Sequence, residues 1–275
     1  MNTIVVNNYS KLKPSLFFLP LVLLIAIVLF LYSKDSLQPD KYVQVQKNIF
    51  YFINYHYGQY PNFLYNLTQV GDAAIFLSLL SIFILYAPKM WEALISGSLV
   101  SLLLSSVLKN LFSVPRPAVA LDNSSFIIIG NKAVGHASLP SGHSITVFTT
   151  LTVLLFAFMP EKLKYKFLWI FFIVIVGLSI AFTRVGVGAH YPLDVITGSI
   201  IGYISGLTGI FISQKLKIWA WINNKKFYPV FLLLMLASCI SLIVKITDEN
   251  LVIYYLVLIC LFVSFYKISY AFVKK

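Results

Sequence analysis

Residues Ser15 to Tyr32 read SLFFLPLVLLIAIVLFLY, a run that contains no charged side chain. A helix that crosses a bilayer needs about 20 such residues, and runs of similar length recur along the chain. Over its 275 residues the sequence is 59% hydrophobic and 11% charged. This composition is extreme for a soluble protein and predicts a protein whose solvent is the lipid bilayer.

The apolar runs predict an all-α fold, a polytopic membrane helical bundle with about eight transmembrane helices. The predicted limits are 15–33, 72–88, 91–113, 142–160, 166–183, 193–214, 227–246 and 251–271. The first run follows Lys11 and Lys13, as the core of a secretory signal would. No small-residue cleavage site comes after it, so we predict that it is retained as the first span.

Charge patterning predicts the orientation of these spans. The formal charge is +12, from 21 basic and 9 acidic residues. Basic residues cluster at predicted helix ends, which is typical of membrane anchoring and leaves no basic surface for nucleic acid. Most of them lie on the side of both termini, so we predict cytoplasmic termini in a bacterial inner membrane. The connections 33–71 and 113–140 then face outward, the first as an amphipathic interfacial segment and the second as an irregular one.

Polar residues recur at three predicted helix ends, all on the outward side. These groups are Lys109 and Arg116, then Pro140-Ser141-Gly142-His143, and finally Arg184, His190 and Asp194. Ionisable residues at such a depth indicate a functional site.

The first chemical property of these groups is an affinity for phosphate. Lys109, Arg116 and Arg184 supply three cations, and a guanidinium can bind phosphate oxygens through two hydrogen bonds. Ser141 resembles a helix N-cap, and free N–H groups at a helix N-terminus bind phosphate. Gly142 allows the ligand to approach the backbone closely. We predict that these five residues bind the phosphate of a substrate.

The second property is nucleophilic catalysis. His190 and Asp194 are four residues apart, so the carboxylate can hold one imidazole nitrogen and leave the other free to attack phosphorus. His143 can protonate the leaving group and then activate water. The residues therefore predict a two-step reaction through a phosphohistidine, with His190, His143 and Asp194 as catalytic residues. We expect no cofactor and no metal, because the three cations would repel a divalent ion.

Together these groups resemble the type 2 phosphatidic acid phosphatase (PAP2) superfamily, whose signatures are K-x6-RP, PSGH and SR-x5-H-x3-D. Thr183 stands where the family has serine, and we leave it out of the core site. The resemblance implies a six-helix phosphatase core and metal-independent hydrolysis of a phosphomonoester or diphosphate, as in bacterial membrane lipid phosphatases. We accordingly divide the chain into a cytoplasmic segment 1–14, a phosphatase core 15–220 and an additional C-terminal transmembrane hairpin 221–275.

The predicted function is hydrolysis of a lipid phosphate or diphosphate at the outer face of the membrane. Substrates of this class include undecaprenyl diphosphate, phosphatidylglycerophosphate, phosphatidic acid and lipid A phosphates. One alternative is a lipid phosphotransferase that uses the same phosphohistidine. Others are a sugar-phosphate phosphatase and a membrane transporter or scaffold that binds phosphate without turnover.

Overall fold

The computed structural model describes residues 1–274, and these fold entirely into helices and connections, as predicted. In chain order the α-helices are α1 (Asn2–Ser10), α2 (Phe18–Ser33), α3 (Pro39–Gly58), α4 (Pro61–Gln69), α5 (Ala73–Leu79), α6 (Phe83–Tyr86), α7 (Pro88–Phe112), α8 (Pro117–Ala120), α9 (Gly142–Ala157), α10 (Leu163–Gly186), α11 (Pro192–Lys215), α12 (Tyr228–Glu249) and α13 (Val252–Val273). Short 3₁₀ turns cover Pro14–Phe17, Ala220–Asn223 and Lys225–Phe227.

Among the described residues, six helical segments are long and apolar enough to cross a membrane. They are Pro14–Ser33, Pro88–Ala120, Leu163–Gly186, Pro192–Lys215, Lys225–Glu249 and Val252–Val273. The polytopic helical class is confirmed, but two of the eight predicted spans differ from the prediction. The predicted span 142–160 is the shorter α9, of 16 residues, and the predicted span 72–88 is divided between α5 and α6.

The break between α5 and α6 has an identifiable cause in polar contacts with other helices. The indole N–H of Trp91 donates a hydrogen bond to the Leu80 carbonyl oxygen at 3.2 Å. Next to it, the buried Ser81 hydroxyl donates to Ser264 Oγ of α13 at 2.8 Å. Hydropathy alone does not reveal such long-range partners, so the sequence predicted one continuous helix where two short ones form.

The divided segment still runs between the two ends of the bundle. Just before it, Gly71 lies against His143, since a Cβ atom at Gly71 would come within 2.8 Å of the histidine Cβ. Just after it, the Lys89 N–H donates to Asn2 Oδ1 at 3.0 Å. The chain therefore changes ends between these residues, as the predicted topology requires.

Helix α11 forms the centre of the bundle. Its glycines allow backbone contact with α9 and α7: a Cβ at Gly202 would lie 2.5 Å from the Ile145 carbonyl oxygen, and one at Gly209 would lie 2.4 Å from Gly97 N. Small residues at such spacing let membrane helices approach closely. This packing fixes the start of α11 beside the start of α9, where the Ser141 N–H donates to the Asp194 carbonyl oxygen at 3.0 Å.

The C-terminal helices α12 and α13 pack against each other and form a hairpin. Large apolar side chains such as Leu233, Ile240, Phe262 and Tyr266 are exposed on its outer faces. Exposed apolar helix faces of this kind are expected where lipid is the solvent. On its inner side α13 contacts α4 and α5. The turn between the helices is shorter than predicted, because α12 continues to Glu249 and only Asn250 adopts a left-handed conformation.

Candidate active site

Three helix ends meet at one end of the bundle: the C-terminus of α7, the N-terminus of α9 and the connection from α10 to α11. Lys109 lies in the last turn of α7. Ser141 caps α9, since its Oγ accepts hydrogen bonds from the N–H and the hydroxyl of Ser144 at 3.4 and 2.9 Å. The predicted N-cap is therefore confirmed.

His190 and Asp194 form a pair that is excluded from solvent. His190 is 2% exposed and Asp194 is fully buried. Nδ1 of His190 lies 3.5 Å from Asp194 Oδ2, at the outer limit of a hydrogen bond. The carboxylate also accepts from the Ser138 hydroxyl at 2.6 Å, the Tyr42 hydroxyl at 2.7 Å and the Tyr191 N–H at 2.9 Å. Three short hydrogen bonds thus fix the carboxylate in place.

The other nitrogen of His190 faces a cation. Nε2 lies 3.3 Å from a guanidinium nitrogen of Arg116, and the same nitrogen donates to the Ala189 carbonyl oxygen at 3.2 Å. When the ring proton resides on Nδ1, next to the carboxylate, Nε2 carries a lone pair directed toward the guanidinium. A phosphate held by Arg116 would lie beside that lone pair.

The protonation states in this pair follow from burial. Burial lowers the pKa of His190 to about 4, and the adjacent Asp194 carboxylate opposes part of this shift. At neutral pH the imidazole is therefore neutral and keeps a lone pair on one nitrogen, as a nucleophile must. Burial and the same carboxylate raise the pKa of Tyr42 well above its ordinary value, so its hydroxyl remains a donor.

Lys109 reaches the first turn of α9. A Cβ atom at Gly142 would lie only 3.3 Å from Lys109 Nζ, so the ammonium group lies over the glycine backbone. The N–H groups of a first helical turn favour anions. A cation above them completes a small site for a negatively charged ligand.

Arg184 and His143 face a cavity of about 510 Å³. One guanidinium nitrogen of Arg184 donates to the Thr68 hydroxyl at 3.0 Å. Its Nε is buried and has no hydrogen-bond partner among the described residues. Buried polar atoms usually have a hydrogen-bond partner. Because this N–H has none among the described residues, it can donate to a ligand in the cavity. His143, which also lines this cavity, packs against Gly71.

The structure brings the predicted residues together at this end of the bundle. Lys109 contacts Gly142, and His190 lies between Arg116 and Asp194. Arg184 and His143 line the same cavity. Thr183 is directed elsewhere, because its hydroxyl donates to the Ile180 carbonyl oxygen within α10. Within residues 1–274, no group of three or more His, Cys, Asp or Glu side chains is arranged to hold a metal ion.

Several residues that support the site were missed by sequence reasoning. Tyr42 and Ser138 hold the Asp194 carboxylate. The Gln46 amide donates to the Tyr42 carbonyl oxygen and accepts from the Leu193 N–H, both at 3.0 Å. The only local signal for Tyr42 and Gln46 was their spacing of four on one face of the predicted interfacial segment. Ser138 offered none beyond lying two residues before Pro140.

Comparisons with known proteins show what the chain is similar to. Residues 89–218 match the sequence model of the PAP2 superfamily. The bacitracin transport permease protein BcrC of Bacillus licheniformis is 32% identical over 42% of this chain and 51% of its own length. The lipid A 1-phosphatase of Rhizobium etli is 34% identical over 53% of this chain and 62% of its own length. This chain therefore aligns with only about half to three fifths of those two relatives.

A solved structure extends the similarity to the fold. The crystal structure of Aquifex aeolicus LpxE superposes with a TM-score of 0.50 at 27% identity, and covers 61% of this chain and 95% of that protein. The matching range 89–218 contains every residue predicted for the site, from Lys109 to Asp194. The chain is therefore similar to the PAP2 superfamily over residues 89–218, which make up just under half of its length.

Proposed function

We propose that this protein is a membrane lipid phosphatase that hydrolyses a phosphate monoester or diphosphate through a phosphohistidine. The observation that carries the proposal is the position of His190 between the Asp194 carboxylate and the Arg116 guanidinium. A neutral imidazole with one nitrogen beside a carboxylate and the other beside a phosphate-binding cation is equipped for nucleophilic attack on phosphorus.

In the first step, Nε2 of His190 attacks phosphorus and the bond from phosphorus to the ester oxygen breaks. His143 gives its proton to the departing oxygen, and the phosphoryl group remains on His190. In the second step, water attacks this phosphohistidine and returns a proton to His143, which releases inorganic phosphate and restores both histidines. Lys109, Arg116 and Arg184 stabilise the negative oxygens throughout, together with the first turn of α9.

An apolar groove supports a lipid as the substrate. A groove of about 450 Å³ extends along α5, α7 and α9 and reaches Gly142, beneath the Lys109 ammonium group. Leu99 and Leu102 line it and are more than half exposed on the outside of the bundle. A hydrocarbon tail in this groove would remain in the bilayer while its phosphate lies at the cations. One of the relatives is a lipid A 1-phosphatase, and lipid A is likewise a lipid that carries a phosphate.

The placement in the membrane follows from the charge pattern. Both termini lie in the cytoplasm and the site faces the exterior or periplasm of a bacterial cell, because the basic residues favour the side of the termini. Lys132→Cys, made together with Cys239→Ser and Cys260→Ser, leaves a single cysteine in the connection before α9. That cysteine would react with a membrane-impermeant reagent applied to whole cells. Protection from that reagent would reverse this orientation.

A phosphate-release assay tests the function directly. Purified protein is incubated with phosphatidic acid, phosphatidylglycerophosphate, undecaprenyl diphosphate and lipid A, with and without EDTA. At least one lipid is expected to release phosphate at a rate that EDTA does not change, and His190→Ala should abolish that release. His136→Ala is the matched control, because His136 is exposed and lines a separate cavity with Asp40. Transfer of labelled phosphate to lipid instead of water would indicate a phosphotransferase.

A further inference from the structure

The α12–α13 hairpin lies outside the residues that match the PAP2 superfamily, yet its polar end lies at the candidate active site. Four of its residues line the cavity that also contains His143 and Arg184, and we call them the hairpin wall: Lys245, Asp248, Glu249 and Tyr254. A hairpin with largely apolar outer faces therefore presents a polar surface to this cavity.

The hairpin wall is attached to the helices beside the catalytic groups. Lys245 Nζ lies 3.4 Å from Asp72 Oδ2, and Asp72 caps α5 by accepting from the Ala74 N–H at 2.8 Å. The Tyr65 hydroxyl of α4 donates to Glu249 Oε1 at 2.5 Å. These contacts join the hairpin to α4 and α5, so the wall keeps a fixed position relative to the phosphate-binding residues.

The surface formed in this way is rich in hydrogen-bond acceptors. Both carboxylate oxygens of Glu249 accept from tyrosine hydroxyls, Oε1 from Tyr65 and Oε2 from Tyr254 at 2.7 Å. Both hydroxyl protons are therefore used in hydrogen bonds to the carboxylate. Burial and the same carboxylate raise the pKa of Tyr65 to about 12, so the phenol keeps its proton at neutral pH. The two hydroxyl oxygens therefore keep lone pairs for a ligand, whereas their protons are already bound to Glu249.

The charge of this surface is negative. Asp72, Asp248 and Glu249 carry three carboxylates around the cavity, and the single cation among them, Lys245, is paired with Asp72. The Asp248 carboxylate is exposed. Across the cavity, Arg184 presents its Nε–H, which has no hydrogen-bond partner within residues 1–274. One side of the cavity therefore suits a phosphate, whereas the other repels a second one.

We propose that the hairpin wall selects the headgroup of the substrate. It favours phosphate lipids whose headgroup carries hydroxyl or amine donors beside the phosphate, such as phosphorylated sugars or amino sugars. It disfavours lipids that place a second phosphate there. The hydroxyl or amine groups of such a headgroup would donate hydrogen bonds to Asp248, Glu249 and the two tyrosines. A second phosphate would instead be repelled by the carboxylates. This inference rests on the proposed function and assigns its headgroup preference to residues outside the family region.

The test compares kcat/KM of the full-length protein for three lipids with the same acyl chains: a diacyl glucosamine 1-phosphate, phosphatidic acid and a diacylglycerol diphosphate. Asp248→Lys is expected to lower the ratio of sugar phosphate to diphosphate about tenfold, and Asp248→Asn about threefold, as expected for a charge change at a partly screened site. Asp122→Asn is the control, because Asp122 is an exposed carboxylate outside this cavity. Its ratio should equal that of the wild type.

The possible results separate the inference from the proposed function. If the wild type hydrolyses these lipids but both Asp248 variants keep the wild-type ratio, the hairpin wall does not select the headgroup and the phosphatase proposal stands. If monodisperse wild type releases phosphate from none of the lipids in either assay, the proposed function fails, and this inference fails with it. If Asp248→Lys does not elute as a monodisperse protein, the threefold change in Asp248→Asn decides.

Discussion

The cavity at His143 has two walls that are built differently. One wall is formed by the ends of α9, α10 and α11, where His143 and Arg184 line the cavity. Behind this lining, Asp194 is fully buried and His190 is 2% exposed, so we call it the buried wall. The helices behind it meet backbone to backbone, as at Gly202. The hairpin wall is more open: the side chains of Lys245 and of its ion-pair partner Asp72, at the start of α5, are 36% and 34% exposed.

This difference in exposure separates two kinds of electrostatic effect. Charges act strongly on one another where water is excluded, whereas exposed ion pairs contribute about 0–1 kcal/mol. The buried wall is therefore suited to the bond-breaking steps, and the hairpin wall to a weaker discrimination between headgroups. Matched substitutions should therefore cost more activity in the buried wall than at the hairpin wall.

Removing the charge of the buried carboxylate should have the largest effect. Asp194→Asn is expected to lower kcat about 10³- to 10⁴-fold, as for other carboxylates that orient a catalytic imidazole. The matched change beside the hairpin wall is Asp72→Asn, which removes the ion-pair partner of Lys245 but retains an α5 cap. It should lower kcat less than about fivefold. Phosphate-release kinetics measure both, with thermal melts to verify folding. Equal losses in the two variants would remove the distinction between the walls.

A pair of lysine substitutions makes the same comparison for cations. Lys109→Met should lower kcat/KM about 10²-fold, because its ammonium group lies over Gly142 at the start of α9. Lys245→Met should lower kcat/KM for phosphatidic acid no more than about threefold, because an exposed pair is screened. Steady-state kinetics with phosphatidic acid measure both values. A loss above about 10²-fold in Lys245→Met would place the hairpin wall in the reaction centre itself.

Local spacing was enough to predict the residues that carry the proposed chemistry. His190 and Asp194 are four apart at the start of α11, and Ser141 directly precedes α9, so helix geometry places each of them at a helix start. The packing of α11 on α9 then brings the two starts together. The apolar runs predicted the long helices for the same reason. Membrane helices must satisfy their backbone hydrogen bonds internally, which makes a long apolar run a reliable signal.

The features that were missed depend on contacts between distant parts of the chain. Tyr42 reaches Asp194 across 152 positions of sequence. The break after α5 involves Ser264, 183 residues away from Ser81. Glu249 in the hairpin meets Tyr65 of α4 across 184 residues. In a single sequence none of these pairs leaves a periodic pattern, so they became visible only in the folded chain.

Tyr42 offers a smaller effect within the buried wall. Tyr42→Phe removes one of three hydrogen bonds to the Asp194 carboxylate and should lower kcat about tenfold while KM changes little, as expected for a positioning residue. Tyr51→Phe is the control, because its hydroxyl bonds Ser125 in an exposed contact. A rise in KM with unchanged kcat would instead assign Tyr42 to substrate binding.

The smallest expected effect concerns pH: the rate of phosphohistidine formation should not decrease as the pH falls through 6. Burial lowers the pKa of His190 to about 4, so the nucleophile should stay neutral and the rate of phosphohistidine formation should not fall from pH 7.5 to 5.5. A histidine with an ordinary pKa of about 6.5 would lose about 90% of its neutral form over that range. Single-turnover labelling of His190 isolates this step from the later attack by water. A tenfold fall in this rate would mean that His190 has an ordinary pKa and is as well solvated as the hairpin wall. The difference in burial between the two walls would then not explain the reactivity of His190.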